Sequence, residues 1–161
     1  MSDELKENTV QQMLCMPLWG RMIAARKYPD LFPDRDAERI VKELGVDWSK
    51  KLLLRFQYMW MNGVIRQYNL SWEIEEYLKK HPKAAVVELG AGLSCLRRQM
   101  GNNANPWYCL DMENVIALRE KHIPKGGHEK KMVCNLNDFS WFDKINFKPG
   151  NGIVFTAGTS C

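Results

Sequence analysis

The run Val86-Val87-Glu88-Leu89-Gly90-Ala91-Gly92 restricts the fold of this chain more than any other stretch. Apolar residues lead directly into two glycines one residue apart. That is the pattern of a buried strand ending in a tight turn, where the backbone approaches a ligand without Cβ obstruction. A lone Gly-x-Gly is a weak signal, and its neighbours decide its value. Here the turn precedes a helical stretch and then a second strand, Trp107 to Leu110, which ends in the carboxylate Asp111. Asp111 lies 19 residues beyond Gly92, close to the separation of about 20 at which an acid closing the second strand holds ribose hydroxyls. The same residue is placed to cap a helix beginning near Glu113, and the two roles are compatible.

Around this turn the chain alternates. The pattern predicts a strand over 84–89, a helix after Gly92, a strand over 107–110, a helix over 113–123, a third strand over 131–134 and a fourth over 152–156. Such a rhythm favours an α/β fold, a Rossmann-like parallel sheet with helices on both faces. Only five residues follow the fourth strand, too few to cover that side, so the sheet reads as the first four strands of a truncated domain. Before His81-Pro82 the periodicity is helical instead, with helices expected over 10–25, 36–44 and 52–80 and a turn through 28–33. Two regions are therefore expected: residues 1–82 as a helical N-terminal extension, and residues 83–161 as the N-terminal half of a nucleotide-binding sheet domain.

Composition narrows the classes of function. At 161 residues, 45% hydrophobic and 26% charged, the chain has the make-up of one globular domain. The net charge of +4 comes from scattered pairs such as Lys50-Lys51, Arg97-Arg98 and Lys130-Lys131, with no basic face for nucleic acid. Five cysteines form no Cys-x-x-Cys pair and the three histidines lie at no zinc spacing from them, so no metal site is expected. The odd cysteine count, the lack of a signal peptide and the lack of an apolar run approaching about 20 residues point to the cytoplasm and away from a membrane.

Glu88 refines the reading of the turn. An acid inside a buried strand needs a donor or a cation, and the positively charged methionine portion of S-adenosylmethionine supplies both; nearby backbone amides are the alternative partner. A dinucleotide enzyme prefers a small third residue in Gly-x-Gly-x-x-Gly, and that place is taken by Cys95. NAD binding stays open as an alternative.

Further segments carry a family likeness: Met13 to Arg21 (Met-Leu-Cys-Met-Pro-Leu-Trp-Gly-Arg), Asp34-Arg35-Asp36-Ala37-Glu38, Val86 to Leu93, Trp107 to Asp111, and Leu136-Asn137-Asp138-Phe139-Ser140-Trp141. With them the chain resembles the leucine carboxyl methyltransferase family, in its branch of polyketide O-methyltransferases of the tetracenomycin type. The resemblance implies a class I methyltransferase fold, S-adenosyl-L-methionine as cofactor, and methylation of a carboxyl or hydroxyl group on a small molecule. It implies Arg66 for the methionine carboxylate, Glu88, Gly90 and Gly92 as the cofactor loop, Asp111 for the ribose, and Leu136-Asn137 against the adenine. The chain departs from the family at Leu93-Ser94-Cys95-Leu96, where an acid is common, and at Thr156-Ala157-Gly158, where an acid is expected beside the glycine. No catalytic base is identified: His81, His122 and His128 fall at helix ends or in loops, where structural roles are usual. A truncated module that binds or pairs without catalysis is the competing reading, the chain alone is expected to have little methyltransferase activity, and the sequence leaves the oligomeric state open.

Overall fold

The computed structural model describes residues 10–45 and 57–157. Helix α1 spans Val10–Lys27, α2 Arg35–Leu44 and α3 Gln57–Lys80; then come β1 (Ala85–Leu89), the short α4 (Leu96–Gln99), β2 (Trp107–Asp111), α5 (Glu113–His122), β3 (Glu129–Val133), a 3-10 helix (Phe139–Lys144) and β4 (Ile153–Ala157). The α/β expectation and the order of its elements hold. The expected helical stretch 52–56 lies outside the described residues.

The four strands form one sheet in the order β3-β2-β1-β4. Every pairing is parallel: Glu88 sits opposite Cys109 on one side and Thr156 on the other, and Cys109 opposite Lys131. Strand order runs outward from β1 to β3 and then restarts on the other side of β1, so the chain switches direction at the carboxyl end of β1. In open α/β sheets ligands bind in the crevice outside such a point.

Alternation along the strands divides the core. Val86, Trp107 and Cys109 face α3 and α4, packing with Ile74, Ala91 and Leu96. Ala85, Val87, Tyr108 and Leu110 face the other way, onto Trp141 and Ile145 of the 3-10 segment. This two-residue period is what a strand's pleat imposes, and both faces are apolar because both are covered.

A third cluster joins the helical extension to the sheet. Cys15, Leu18 and Met22 of α1 and Ala37, Ile40, Val41 and Leu44 of α2 pack with Leu93, Cys95, Val115, Leu118 and Ile123. Helix α2 is well specified locally: the Asp34 side chain accepts from the Ala37 amide at 3.0 Å, and Gly45 closes the helix at φ 62°. Thus α1 and α2 lie directly against the segment that leaves the glycine turn.

Most boundaries fall within one or two residues of the sequence reading, and two departures bear on the site. The helix after the turn is one four-residue turn, and β3 begins two residues earlier than expected, at Glu129. Glu129 looks like a loop acid in sequence. In the fold it is buried, with its carboxylate 3.1 Å from Arg97 Nε and 3.6 Å from Arg119 Nη2, so two cations compensate the charge that would otherwise be costly to bury.

Candidate functional site

Gly90 and Gly92 adopt φ 64° and 49°, the left-handed region that a side chain resists. That pair of glycines lets the chain turn sharply where β1 ends at Leu89. The turn is then held from the protein side. Gly92 donates its N–H to Asp111 Oδ2 at 2.7 Å, and Ala91 donates to the Leu110 carbonyl at 3.0 Å. The next three carbonyls are taken by buried arginines: Arg119 Nη1 donates to Gly92 O at 3.1 Å and Ser94 O at 2.6 Å, and Arg21 Nη1 donates to Leu93 O at 2.7 Å. Charge-assisted bonds of this kind are among the stronger ones available.

Asp111 is buried at the end of β2, and its second oxygen accepts from the Met112 amide at 2.8 Å. It does not cap α5, whose N-cap is Met112 without a side-chain bond. Each carboxylate oxygen has a second lone pair, and Asp111 lines an open cleft of about 500 Å³ with Met112, Glu113, Val133, Cys134, Asn135 and Leu136. The cleft lies at the carboxyl ends of β2 and β3. Sequence residues Asp111 and Leu136 therefore meet in one cavity, next to the glycine turn that Asp111 holds. Asn137 is exposed, with its N–H turned to Asn135 Oδ1 at 3.0 Å, and Asn135 takes its place in the wall.

Glu88 points to the α3 side of the sheet. Its Oε1 accepts from Trp107 Nε1 at 2.6 Å and from the Cys109 thiol at 3.8 Å. An indole on the neighbouring strand thus satisfies the buried acid, and its presence in β1 is explained without any ligand. Arg66 is exposed on α3 and is absent from the cleft wall.

Sequence reasoning missed Arg21 and Arg119. Arg21 is buried, bonded through Nε to Asp34 Oδ2 at 2.6 Å, while its Nη2 has no partner. Burial opposes its charge, but Asp34 and Cys95 outweigh that and raise its pKa. A second, smaller cavity of about 40 Å³ lies here, walled by Arg21, Phe32, Asp34, Gln67, Tyr68 and Gln99, room for a water or a small acceptor group. Arg119 also reaches Cys109 Sγ at 3.2 Å. Burial, and then Glu88, push the Cys109 thiol well up, which makes it inert. The available signal was an arginine set among apolar residues, as in Val115-Ile116-Ala117-Leu118-Arg119.

His122 is buried, with Nδ1 2.8 Å from Glu43 Oε2. The His81 ring lies 4.5 Å from that of Tyr77, tilted by 33°, and none of the three histidines lines the Asp111 cleft. Among the described residues no group of three or more His, Cys, Asp or Glu is placed to hold a metal ion, and no helix is long and apolar enough to cross a membrane.

Comparison with family models, with curated proteins and with solved structures finds no match to this chain.

Proposed function

We propose that the chain binds S-adenosylmethionine at the carboxyl ends of β2 and β3, beside the glycine turn that follows β1, and descends from a class I O-methyltransferase acting on a small molecule. The observation that carries this reading is the Asp111 cleft: one carboxylate both holds the glycine turn at the topological switch point and faces a cavity of nucleoside size. Asp111 would take the ribose hydroxyls on its remaining lone pairs, with Leu136 against the adenine. The methionine carboxylate has two arginine partners to choose from, Arg66 by family resemblance and Arg21 by its unpartnered Nη2. The likeness to the leucine carboxyl methyltransferases rests on the motifs alone.

The NAD alternative is weaker for a physical reason. A pyrophosphate relies on a long helix whose N-terminal amides point at it. The helix after this turn has four residues, and Ser94 Oγ already accepts its Leu96 amide at 3.2 Å.

Methyl transfer from a sulfonium is an in-line displacement: the acceptor oxygen forms a bond to the methyl carbon as the carbon–sulfur bond breaks, and the thioether leaves neutral. The protein's task is alignment in a dry site. A carboxylate acceptor needs no base, whereas a hydroxyl acceptor needs one within reach.

Calorimetric titration with S-adenosylmethionine, S-adenosylhomocysteine and NAD tests the reading. Binding of the two adenosyl compounds, lost in Asp111→Ala while the fold persists, is the expected result. Selective binding of NAD, or no adenosyl binding by the folded chain, would overturn it.

A further inference from the structure

Helix α3 is apolar on two faces. Val64, Gln67 and Ile74 are buried against the body of the protein. On the opposite side Tyr58, Met61, Ile65, Tyr68 and Trp72 are exposed by 73%, 41%, 48%, 46% and 59%. Their spacing alternates three and four residues, the 3.5-residue repeat of a seam between paired helices. At 100° per residue these five fall within a narrow stripe. From Gln57 to Trp72 the helix carries a single charge, Arg66, and its other charges, Glu73, Glu75, Glu76, Lys79 and Lys80, all follow the stripe. A helix face meant for water is charged, and one apolar on two sides has two partners.

We infer that this stripe is the interface with a second copy of the chain, the two α3 helices pairing antiparallel about a twofold axis through Ile65. Three observations select that occupant. The stripe is nearly symmetric about Ile65: aromatic, Met, Ile, Tyr, aromatic, at −7, −4, 0, +3 and +7. An antiparallel twofold requires such symmetry because the same patch faces itself. It sets Tyr58 against Trp72 of the second copy and Ile65 against Ile65, and brings Met61 within one residue of the level of Tyr68, so aromatic and sulfur–aromatic contacts form.

The area is the second. At roughly 200 Å² per large side chain, the stated exposures leave about 500 Å² per copy, so the seam alone buries about 1,000 Å² in a pair, the lower bound for a specific interface. Third, the stripe has no charge that would recognise a charged partner, and Asn62 and Asn69 beside it supply a polar rim. Tyr68 belongs both to the stripe and to the wall of the Arg21 cavity, and packs edge-on against Phe32 at 5.7 Å. Pairing would therefore lay the second copy's Met61 against the outer wall of that cavity.

Sedimentation equilibrium of the 161-residue chain from about 1 to about 100 μM reads this out. A monomer–dimer equilibrium is expected. Ile65→Asp, which places like charges together at the axis, weakens it roughly a hundredfold, with circular dichroism unchanged and thermal unfolding unchanged at a concentration where the wild type is monomeric. Tyr58→Glu and Trp72→Lys each weaken the dimer, and the double variant recovers it because the antiparallel register pairs the two positions. A wild-type chain that stays monomeric at the highest concentration would overturn the inference. So would a folded Ile65→Asp variant that dimerises as well as the wild type, or a folded double variant no better than its parents. The readout is independent of cofactor binding.

Discussion

Replacing Arg119 by Met tests the idea that the glycine turn is clamped from within. The substitution keeps the apolar stem and removes the guanidinium. The Gly92 and Ser94 carbonyls, accepting at 3.1 and 2.6 Å, then lose a charged donor. Each buried polar group left unpaired costs about 1–3 kcal/mol. Other partners are less affected: Glu129 keeps Arg97 at 3.1 Å, and Glu88 keeps Trp107 at 2.6 Å. One term runs the other way, because Arg119 Nε has no partner in the native fold and its removal returns about 1–3 kcal/mol. Loss of one of two compensating cations beside Glu129 adds a further cost. The net is a destabilisation of about 3 kcal/mol, which for a chain of this length lowers Tm by roughly 6–12 °C. Thermal unfolding followed by circular dichroism measures it. A fall below about 2 °C, less than 1 kcal/mol at this length, would refute the clamp. At a temperature where the variant is still folded, affinity for S-adenosylhomocysteine should also fall about tenfold, since a loosened turn must be ordered on binding.

Two further outcomes follow from titratable groups near the site. Asp36 links α2 to the residue after the loop through Arg98 Nε at 2.6 Å. Burial works against its charge, but the bonds from Arg98 and then Arg39 prevail and hold its pKa below the ordinary carboxylate value. A depressed acid contributes stability that is complete above its unfolded pKa and lost as pH falls through the folded one. Wild type should thus lose more stability than Asp36→Asn on acidification from pH 5 to about 2, and parallel acid-unfolding curves would refute the pairing. Cys134 lines the Asp111 cleft, and burial, then the charge of Asp111, raise its thiol pKa. Iodoacetamide should modify it before the buried Cys15, Cys95 and Cys109, more slowly than a free cysteine at the same pH, and should abolish adenosyl binding; mass-mapped alkylation at Cys134 with binding intact would sink its place in the site.

Much of the fold was legible because its elements carry their own periods. The apolar run Ala84 to Leu89 has the length and flanks of a covered parallel strand, and the glycines after it have one geometric use. The place of Asp111 beside the turn was legible from its spacing, whereas the meeting of Asp111 with Leu136 in one cleft belongs to the folded chain. Glu88 was misread in part: its burial was visible in the strand pattern, but the partner that satisfies it, the Trp107 indole, comes from a strand 19 residues away. The pairing register that sets Glu88 beside Cys109 decides it.

The sequence by itself determined the local elements, the turn and the acid that closes β2, since these depend on residue type and short spacing. Only the tertiary structure decided what holds the turn. Arg21 from α1 and Arg119 from α5 donate to the three consecutive carbonyls of Gly92, Leu93 and Ser94, while Asp111 from β2 accepts from the Gly92 amide, and short-range spacing does not bring the two arginines to that turn. A buried arginine is indistinguishable from a solvated one until the core closes around it, because burial belongs to the packing of distant segments and not to the residue.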